Sequence, residues 1–213
     1  MILHDVEQGS GEWLRLRMGI PTASEFGTLL AKGRDGKSPS LTRAKYLRRL
    51  AGERLAGEPG ETFDSPAMAR GKEMEAKARG RYVLETGLTL TRVGFITTDD
   101  EKVGASPDSL IGDDGAVEFK TAKYEILIEH IESALKDPSY FPAEHVAQCQ
   151  GVLAVGERKW IDLAIYWPGL PLFVKRAYRD ETYITKLRSA IDEANAEIEQ
   201  IVARVKFYQP EDA

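Results

Sequence analysis

The spacing of apolar and polar residues predicts helices that alternate with short strands. Five segments have a helical pattern: 41–56, 67–85, 124–136, 142–155 and 180–206. Five shorter segments, rich in β-branched and aromatic residues, predict strands: 92–98, 103–111, 116–121, 160–167 and 172–178. The first three strands are expected to form a meander. Strands interleaved with helices in this way predict an α/β fold, with a mixed central β-sheet flanked by helices.

Turn and capping residues define the surroundings of the first two predicted helices. Residues 32–40 are rich in glycine, serine and basic residues and predict an exposed basic loop. Ser40 is a suitable N-cap for the helix 41–56, and Gly87 is a suitable stop for the helix 67–85. A basic loop is therefore expected to lead directly into a basic helix.

The last predicted helix, 180–206, carries an apolar stripe with the alternating three- and four-residue spacing of a coiled-coil seam. Its members are Ile184, Leu187, Ile191, Ala194, Ile198, Ile201 and Val205. Such a stripe most often packs against its own domain, and the alternative is a contact between subunits. The sequence leaves both interpretations open.

Length and composition limit the class of protein. The chain has 213 residues, of which 42% are hydrophobic, and this is enough for a single domain over 1–213 with one core. Cys149 is the one cysteine, which excludes an internal disulfide, a cysteine zinc site and a cysteine-ligated iron–sulfur cluster. No secretory signal and no apolar run of about 18 residues is present. We therefore expect a soluble cytoplasmic protein that does not contact a membrane.

The net charge of −5 argues at first against a nucleic-acid partner, since phosphate backbones attract basic surfaces. The charge is divided, however, because residues 1–90 carry a net charge of +3 and residues 91–213 a net charge of −8. Within the first half, the segment 32–54 has a local charge of +6. Such a segment is usually a solvated helix face, and its alternative role is a path for DNA. The overall sign therefore excludes only a uniformly basic surface.

Three residues with catalytic potential lie around the predicted hairpin of strands 103–111 and 116–121. Glu118 and Lys120 are two apart on one strand and are expected to project from the same face, while Asp108 lies on the neighbouring strand. Carboxylates from adjacent strands can share Mg²⁺, and an ammonium group beside the metal can position an attacking water. The same pattern also occurs as an ordinary cross-strand ion pair, so it does not by itself establish a catalytic site.

A further carboxylate lies within an apolar stripe of the helix 67–85. The stripe consists of Met68, Gly71, Ala78 and Tyr82. Glu75 falls inside it, and a buried unpaired carboxylate is costly, so Glu75 needs a partner. It is either a third acid at the metal or one half of a salt bridge to a buried lysine or arginine.

Three acids and a lysine on a helix and successive strands resemble the core of the PD-(D/E)XK nuclease superfamily, which has the restriction endonuclease-like fold. Four sequence blocks extend the resemblance to the phage lambda exonuclease-like (YqaJ-type) family of viral recombinases. The blocks are 13–25, 71–79, 105–110 with 117–120, and 147–150. They occur in the family's order, and the final third of the chain matches only in its order of strands and helix.

The resemblance implies a Mg²⁺-dependent exonuclease of the alkaline exonuclease type that digests one strand of duplex DNA from a 5′ end. Such an enzyme releases 5′-mononucleotides and leaves a 3′ single-stranded overhang. By position, Asp108, Glu118 and the carbonyl of Phe119 would hold the metal, with Mn²⁺ as a substitute for Mg²⁺. Glu75 would lie beside a second ion, and Lys120 would orient the nucleophilic water.

Gln148 matches the active-site glutamine of the family. It shares one face of the helix 142–155 with His145 and Val152, from which it could reach the site and orient water or Lys120. Without the resemblance, a solvent-facing position is an equally good interpretation of this residue.

In the same family, an arginine and a serine of the first block bind the terminal 5′-phosphate, which implies this role for Arg17 and Ser24. Arg17 has the planar donor fork that suits phosphate, and residues Thr22 to Ser24 can start a helix whose amides bind an anion. Ser24 is alternatively only an N-cap. Arg34 aligns with a family residue that enters the duplex groove ahead of the active site.

The resemblance further implies a homotrimeric ring that threads linear, 5′-phosphorylated duplex DNA. The ring would deliver single strands to an annealing protein of a phage or prophage recombination system in a bacterial cell. Two other functions stay open, namely a different DNA nuclease of the same fold (RecB/Cas4-like or structure-selective) and an inactive module that binds DNA ends. The single cysteine disfavours the iron–sulfur Cas4 branch, because such clusters need several thiolates.

Overall fold

A computed structural model describes residues 1–60 and 66–208 of the chain. Residues 61–65 and 209–213 of the expected domain 1–213 therefore lie outside the described residues. Its helices are α1 (Gly11–Arg17), α2 (Phe26–Leu30), α3 (Leu41–Ala56), α4 (Pro66–Thr86), α5 (Tyr124–Lys136), α6 (Ala143–Val155) and α7 (Glu181–Lys206). Its strands are β1 (Ile2–His4), β2 (Phe95–Thr97), β3 (Gly104–Ala105), β4 (Ser109–Ile111), β5 (Gly115–Thr121), β6 (Trp160–Tyr166) and β7 (Phe173–Tyr178). Within the described ranges, no helix is both long and apolar enough to cross a membrane.

The central sheet contains the strands in the order β4-β5-β6-β7. β5 and β6 run parallel, in register from Gly115 beside Trp160 to Thr121 beside Tyr166. β4 pairs with β5, and β7 with β6, in the antiparallel sense. The expected fold class, a mixed central β-sheet flanked by helices, is confirmed.

Helices α4 and α6 cover opposite faces of this sheet. Phe119 of β5 lies in an apolar cluster with Ala78 and Tyr82 of α4. Ala116 of β5 instead faces the main core, to which α6 contributes. Because successive strand residues point to opposite faces, Glu118 extends toward α6.

The expected three-stranded meander is wrong, because its strands divide between two sheets. The predicted strand 103–111 is broken into β3 and β4, and β3 pairs with β2 and β1 in a separate antiparallel sheet. Pro107 lies at the break and lacks the N–H group that a strand ladder needs. Asp108 is therefore in the connection before β4 rather than on a strand.

The β4–β5 hairpin forms at the glycine-rich turn that the sequence predicts. Ser109 pairs with Val117, and Gly112 adopts a φ of +54°, which glycine tolerates best. At Gly115 a Cβ would come within 2.3 Å of the Trp160 indole ring. The register of β5, which carries two candidate catalytic residues, is thus fixed where the strand begins.

Helix α7 packs on α3 and α2 as an outer layer. The buried members of its apolar stripe are Ile184, Leu187, Ile191, Ala194 and Ile198. Ile201 is half-buried and Val205 is 53% exposed. The stripe packs in its own domain over most of its length, which favours the first of its two interpretations.

Helix α3 does not present all of its basic residues to solvent. Arg43 is buried and donates to both carboxylate oxygens of Glu197 in α7, at 2.8 Å each. Arg54 donates to the Gly19 carbonyl at 2.6 Å and to Asn195 at 3.2 Å. These two arginines join α3 to its neighbours. The surface along 32–54, the expected basic path, therefore exposes less positive charge than the local charge of +6 counted from the sequence.

Candidate active site

Glu118 and Lys120 extend from β5 on the side of α6. Lys120 Nζ donates to Glu118 Oε1 at 2.8 Å, and Gln148 Nε2 of α6 donates to the same oxygen at 2.5 Å. Glu118 is 4% exposed, and its Oε2 is buried without a hydrogen-bond partner in the described part of the chain. A buried carboxylate oxygen that no donor satisfies is costly, and a cation would remove that cost.

Asp108 contributes a second acid from the connection before β4. Its Oδ2 accepts a hydrogen bond from the main-chain N–H of Phe119 at 2.6 Å. Burial, followed by the negative charges of Glu118 and Glu75, raises the pKa of Asp108 well above its usual range. The three acids therefore share one electrostatic environment, in which each further negative charge is unfavourable.

Three further titratable groups lie around Glu118, namely Lys120, His145 and Cys149. Burial lowers the pKa of Lys120, but Glu118 and Asp108 raise it by more, so that it lies above its usual value. Burial, and then the charge of Lys120, lower the pKa of His145, which favours the neutral ring. Burial and Glu118 raise the pKa of Cys149 to about 12, which keeps the thiol protonated.

Glu75 reaches the centre from α4 as half of an ion pair. Arg79 Nη2 donates to Glu75 Oε1 at 3.0 Å, and the Glu75 side chain is 38% exposed. The structure thus shows the salt-bridge alternative, and the expected stripe does not bury Glu75. The side chain of Met68, another member of that stripe, lies outside the described residues. Glu75 and Asp108 both line a cavity of about 550 Å³.

The donor atoms fit Mg²⁺, which proteins usually hold through one or two carboxylates and several waters. Asp108 and Glu118 supply two carboxylates, and Glu118 Oε2 is a buried oxygen without a donor. Over 1–60 and 66–208, no group of three or more His, Cys, Asp or Glu side chains is placed to hold a metal as it stands. Phe119, Lys120 and Arg79 each form a hydrogen bond with one of the acids, which are Asp108, Glu118 and Glu75 respectively.

Arg17, Thr22 and Ser24 line a second cavity of about 290 Å³. Arg17 ends α1, a helix that the sequence did not predict, and its guanidinium carbon lies 4.1 Å from the centroid of the Trp13 ring. It donates to the hydroxyls of Thr22 at 3.3 Å and Ser106 at 3.5 Å. Burial lowers the pKa of Arg17, so a phosphate that paired with the guanidinium would offset its desolvation.

The expected helix start at residues 22–24 is wrong in detail. A single 3-10 turn spans Ala23–Glu25, and Thr22 at its N-cap makes no side-chain capping bond. The main-chain N–H of Thr22 donates instead to the Tyr46 hydroxyl at 3.2 Å. Ser24 lies inside the turn and is not the N-cap.

Ser106 links α1 to the connection that contains Asp108. Its hydroxyl accepts from Trp13 Nε1 at 2.9 Å and from Arg17, and Ser106 stands two residues before Asp108. Trp13 and Leu14 line both cavities. The Arg17 pocket, whose lining also includes Arg49, Glu25 and Glu53, and the acid centre are therefore neighbouring parts of one site.

The structure does not bring Arg34 into either cavity. Arg34 is exposed on the loop 32–40, and it lines neither of the two cavities described above. The loop is held by a bond from Gly33 N–H to the Ser38 carbonyl at 2.7 Å, and Asp35 accepts from the Ser38 N–H at 2.9 Å. Arg34 thus projects from an ordered turn at the surface.

Comparison with known proteins identifies the family to which this site belongs. The YqaJ-like viral recombinase domain matches residues 12–159, which is more than half of the chain and includes all four sequence blocks. The chain belongs to the YqaJ-like viral recombinase family. The resemblance drawn from the sequence blocks is thereby confirmed. No curated protein sequence matches the chain.

Solved structures agree with this assignment. The alkaline exonuclease LHK-Exo from Laribacter hongkongensis matches with a TM-score of 0.81 and 32% identity, covering 92% of this chain and 96% of that one. A structure of LHK-Exo in complex with dAMP matches with the same values. A phage-related exonuclease from Haemophilus somnus 129PT, at 15% identity and a TM-score of 0.64 over 90% of this chain and 99% of that one, shows a likeness of fold. This member of the YqaJ-like family has the PD-(D/E)XK fold of the alkaline exonucleases.

Two contacts in this YqaJ-like site involve residues for which no role was predicted from the sequence. Arg79 lies four residues after Glu75, so the rule for helical ion pairs could have identified it. Ser106 has no such local signal, because its contact with Arg17 depends on how α1 packs against the connection before β4.

Proposed function

We propose that the chain is a Mg²⁺-dependent exonuclease that digests one strand of linear duplex DNA from a 5′ end. The observation that carries this proposal is that the Arg17 pocket adjoins the cavity of the acid centre, since Trp13 and Leu14 line both. Removal of nucleotides from an end needs an anchor for that end beside the hydrolytic groups. Membership of the YqaJ-like family and the likeness to LHK-Exo support a nuclease. The complex of LHK-Exo with dAMP, a mononucleotide, supports the release of 5′-mononucleotides, which leaves a 3′ overhang.

The acid centre would hold the metal. Asp108, Glu118 and the Phe119 carbonyl would bind one Mg²⁺ ion, and Glu75 would lie at a second, with Mn²⁺ as a substitute. Bound there, the metal supplies a Lewis acid and lowers the pKa of a water molecule. The unpaired Oε2 of Glu118 supports this assignment.

Lys120 and Gln148 would orient the reactants around Glu118. Lys120 is protonated, so it acts as a donor to the attacking water and offsets charge that builds on the phosphoryl group. Gln148 donates to Glu118 Oε1 from α6 and fixes the direction of that carboxylate. Neither residue needs to lose a proton for these roles.

The pocket would bind the terminal 5′-phosphate through the guanidinium of Arg17 and the hydroxyls of Thr22 and Ser24. The two hydroxyl oxygens lie 3.4 Å apart, so both can face one anion. Arg34 would enter the groove of the duplex from its exposed loop. Binding along the basic residues of 32–54 would weaken steeply as salt rises, since it releases counterions from DNA.

The test compares linear duplexes with 5′-phosphate or 5′-hydroxyl ends, in Mg²⁺ or EDTA, for the wild type and Lys120→Ala. We expect degradation in Mg²⁺ that the substitution reduces by roughly 100-fold or more. Lys159→Ala is the matched control, because Lys159 pairs with Asp114 while its side chain is 73% exposed. Equal activity of Lys120→Ala and Lys159→Ala would remove the proposed mechanism. Efficient cleavage of covalently closed circles would identify an endonuclease instead.

We also propose that the chain forms a homotrimeric ring and passes its 3′ overhang to a single-strand annealing protein of a phage or prophage system. A ring around the duplex explains processive digestion, and family membership supports it. Gel filtration with light scattering should give a mass of three chains. A stable monomer that degrades DNA processively would contradict the ring.

A further inference from the structure

We propose that Arg79 is a positioning residue that holds Glu75 and Asp108 in place for metal binding, an inference that rests on the proposed function. Arg79 lies on α4, one helical turn after Glu75, and its side chain is 15% exposed. Its guanidinium contacts groups from three separate elements. It would therefore set the affinity for metal without touching the metal itself.

The guanidinium uses both terminal nitrogens. Nη2 donates to Glu75 Oε1 at 3.0 Å and to the main-chain carbonyl of Asp108 at 2.9 Å. Nη1 donates to the Ser109 hydroxyl. The guanidinium carbon lies 5.1 Å from the centroid of the Phe119 ring. One side chain thus ties α4 to the connection before β4 and to β5.

Asp108 needs this tie because it lies just outside the strand ladder. β4 begins at Ser109, so the pairing of β4 with β5 does not include Asp108. Its carbonyl accepts from Arg79 and from the Ser109 hydroxyl, the latter at 2.6 Å. These bonds orient the main chain so that the carboxylate meets the N–H of Phe119.

Arg79 also balances charge at the acid centre. Lys120 pairs with Glu118, and Arg79 pairs with Glu75 while contacting the Asp108 main chain. Without Arg79, Glu75 would lose its ion-pair partner, and its negative charge would face Asp108 without the guanidinium between α4 and the connection. The free energy needed to bring both residues together would then lower the affinity for the metal.

The helix that carries Arg79 provides a fixed base. Tyr82, three residues further along α4, donates to Asp162 Oδ2 of β6 at 2.6 Å. Asp162 also accepts two bonds from Arg176 of β7, at 2.8 and 2.9 Å. A side chain anchored in this way can impose a position on the connection that contains Asp108.

The test measures Mn²⁺ binding by isothermal titration calorimetry without DNA, for the wild type, Arg79→Ala and Arg81→Ala. Arg81 is the matched control, since it forms an equivalent pair with Glu85 on the same helix, at 2.5 Å, with its side chain 53% exposed. We expect Arg79→Ala to weaken the Kd by roughly 10–100-fold, which is the scale for groups that orient metal ligands. Arg81→Ala should stay within about twofold of the wild type, as expected for an exposed ion pair.

Arg79→Lys keeps the length and charge of the side chain and guards against misfolding of the alanine variant. One ammonium group cannot reproduce the planar fork, so we expect its Kd to be weakened by roughly tenfold. This inference alone would be overturned if Arg79→Ala had the same Kd for Mn²⁺ as Arg81→Ala. It would also be overturned if Arg79→Lys had the same Kd as the wild type. A wild-type chain that binds no Mn²⁺ would overturn the proposed function and this inference together.

Discussion

The acid centre and the Arg17 pocket offer opposite kinds of contact in neighbouring parts of one site. At the acid centre, the carboxylates of Asp108 and Glu118 outnumber the ammonium of Lys120, and Glu118 Oε2 has no partner among the described residues. In the pocket, the guanidinium of Arg17 is buried against the Trp13 ring and contacts hydroxyls. The carboxylates of the acid centre suit a cation, whereas the guanidinium and hydroxyl donors of the pocket suit an anion.

This difference separates two properties that a single activity assay combines, namely turnover and recognition of the 5′ end. A change at the acid centre should reduce turnover on every DNA end. A change in the pocket should reduce the distinction between phosphorylated and unphosphorylated ends and leave turnover on the latter intact. Substitutions that mixed these two effects would show that the site does not divide in this way.

The largest effect is expected for Asp108→Asn, which should reduce turnover by roughly 1,000-fold on both kinds of end. Because the pKa of Asp108 is raised in the folded state, its ionised form destabilises the fold, and stability is gained as the pH falls through that pKa. Asn removes the charge and can still accept the Phe119 hydrogen bond. In EDTA near neutral pH, the unfolding temperature should therefore rise, by about 2–4 °C for each kcal/mol gained.

Asp114→Asn is the control for that thermal measurement. Asp114 forms an ion pair with Lys159, and its side chain is 51% exposed. We expect no rise in its unfolding temperature. A lower unfolding temperature for Asp108→Asn in EDTA would contradict the strained electrostatics assigned to the acid centre.

A smaller and more selective effect is expected for Arg17→Ala. The loss of charged hydrogen bonds worth about 1.5–3 kcal/mol should slow digestion from 5′-phosphorylated ends by roughly 10–100-fold. Digestion from 5′-hydroxyl ends should change by less than about twofold, since no such bond is made to them. Arg15→Ala, an exposed arginine on the same helix, should leave both rates unchanged. Equal losses on both ends would mean that Arg17 serves turnover rather than recognition of the end.

Two glutamines of α6 sharpen the comparison between chemistry and stability. Gln148 donates to Glu118, whereas Gln150 donates to the Tyr178 carbonyl and accepts from Asp180 N–H. Gln148→Ala should lower kcat by roughly tenfold with little change in unfolding temperature. Gln150→Ala should cost about 1–3 kcal/mol of unfolding free energy and leave kcat unchanged at low temperature. If Gln150→Ala lowered kcat and Gln148→Ala lowered only the unfolding free energy, the assignment of Gln148 to the catalytic face of α6 would be wrong.

The smallest effect is expected for Asp35→Asn. Hydrogen bonds from the Ser38 hydroxyl and from main-chain N–H groups lower the pKa of Asp35 and hold the loop that carries Arg34. The substitution should raise the KM for duplex DNA by about twofold, as suits an exposed contact. Asp100→Asn, which alters a similar turn after β2, is the control. An unchanged KM would show that Arg34 does not need an ordered loop.

Local chemistry explains how much of the fold could be predicted. Ser40 caps α3 and Gly87 follows α4 with a φ of +68°, and both signals are short-range. The predicted strand 103–111 divides at Pro107, and its first part joins a sheet with β2 and with β1, a three-residue strand with too little pattern to detect. Pairing with a distant segment overrode the local preference for a meander.

The candidate site likewise combines residues that a local pattern places together with residues that meet only in the tertiary structure. The spacing of Glu118 and Lys120 on a strand sets their common face, so local geometry was sufficient to place them together. The meeting of Arg17 with Ser106 joins residues 89 positions apart, and no short pattern encodes it. The chemical roles of these residues came from the resemblance to the YqaJ-like family rather than from spacing.

The most direct test of the proposed function is a time course on a linear duplex with one 5′-phosphorylated strand, labelled separately at its 5′ and 3′ ends. With Mg²⁺, we expect the 5′ label to leave first as a 5′-mononucleotide, while the 3′ label stays on a shrinking strand. EDTA and Asp108→Asn should each prevent this release. Loss of the 3′ label first, or release that is unchanged in EDTA, would contradict a metal-dependent 5′ exonuclease built on Asp108, Glu118 and Lys120.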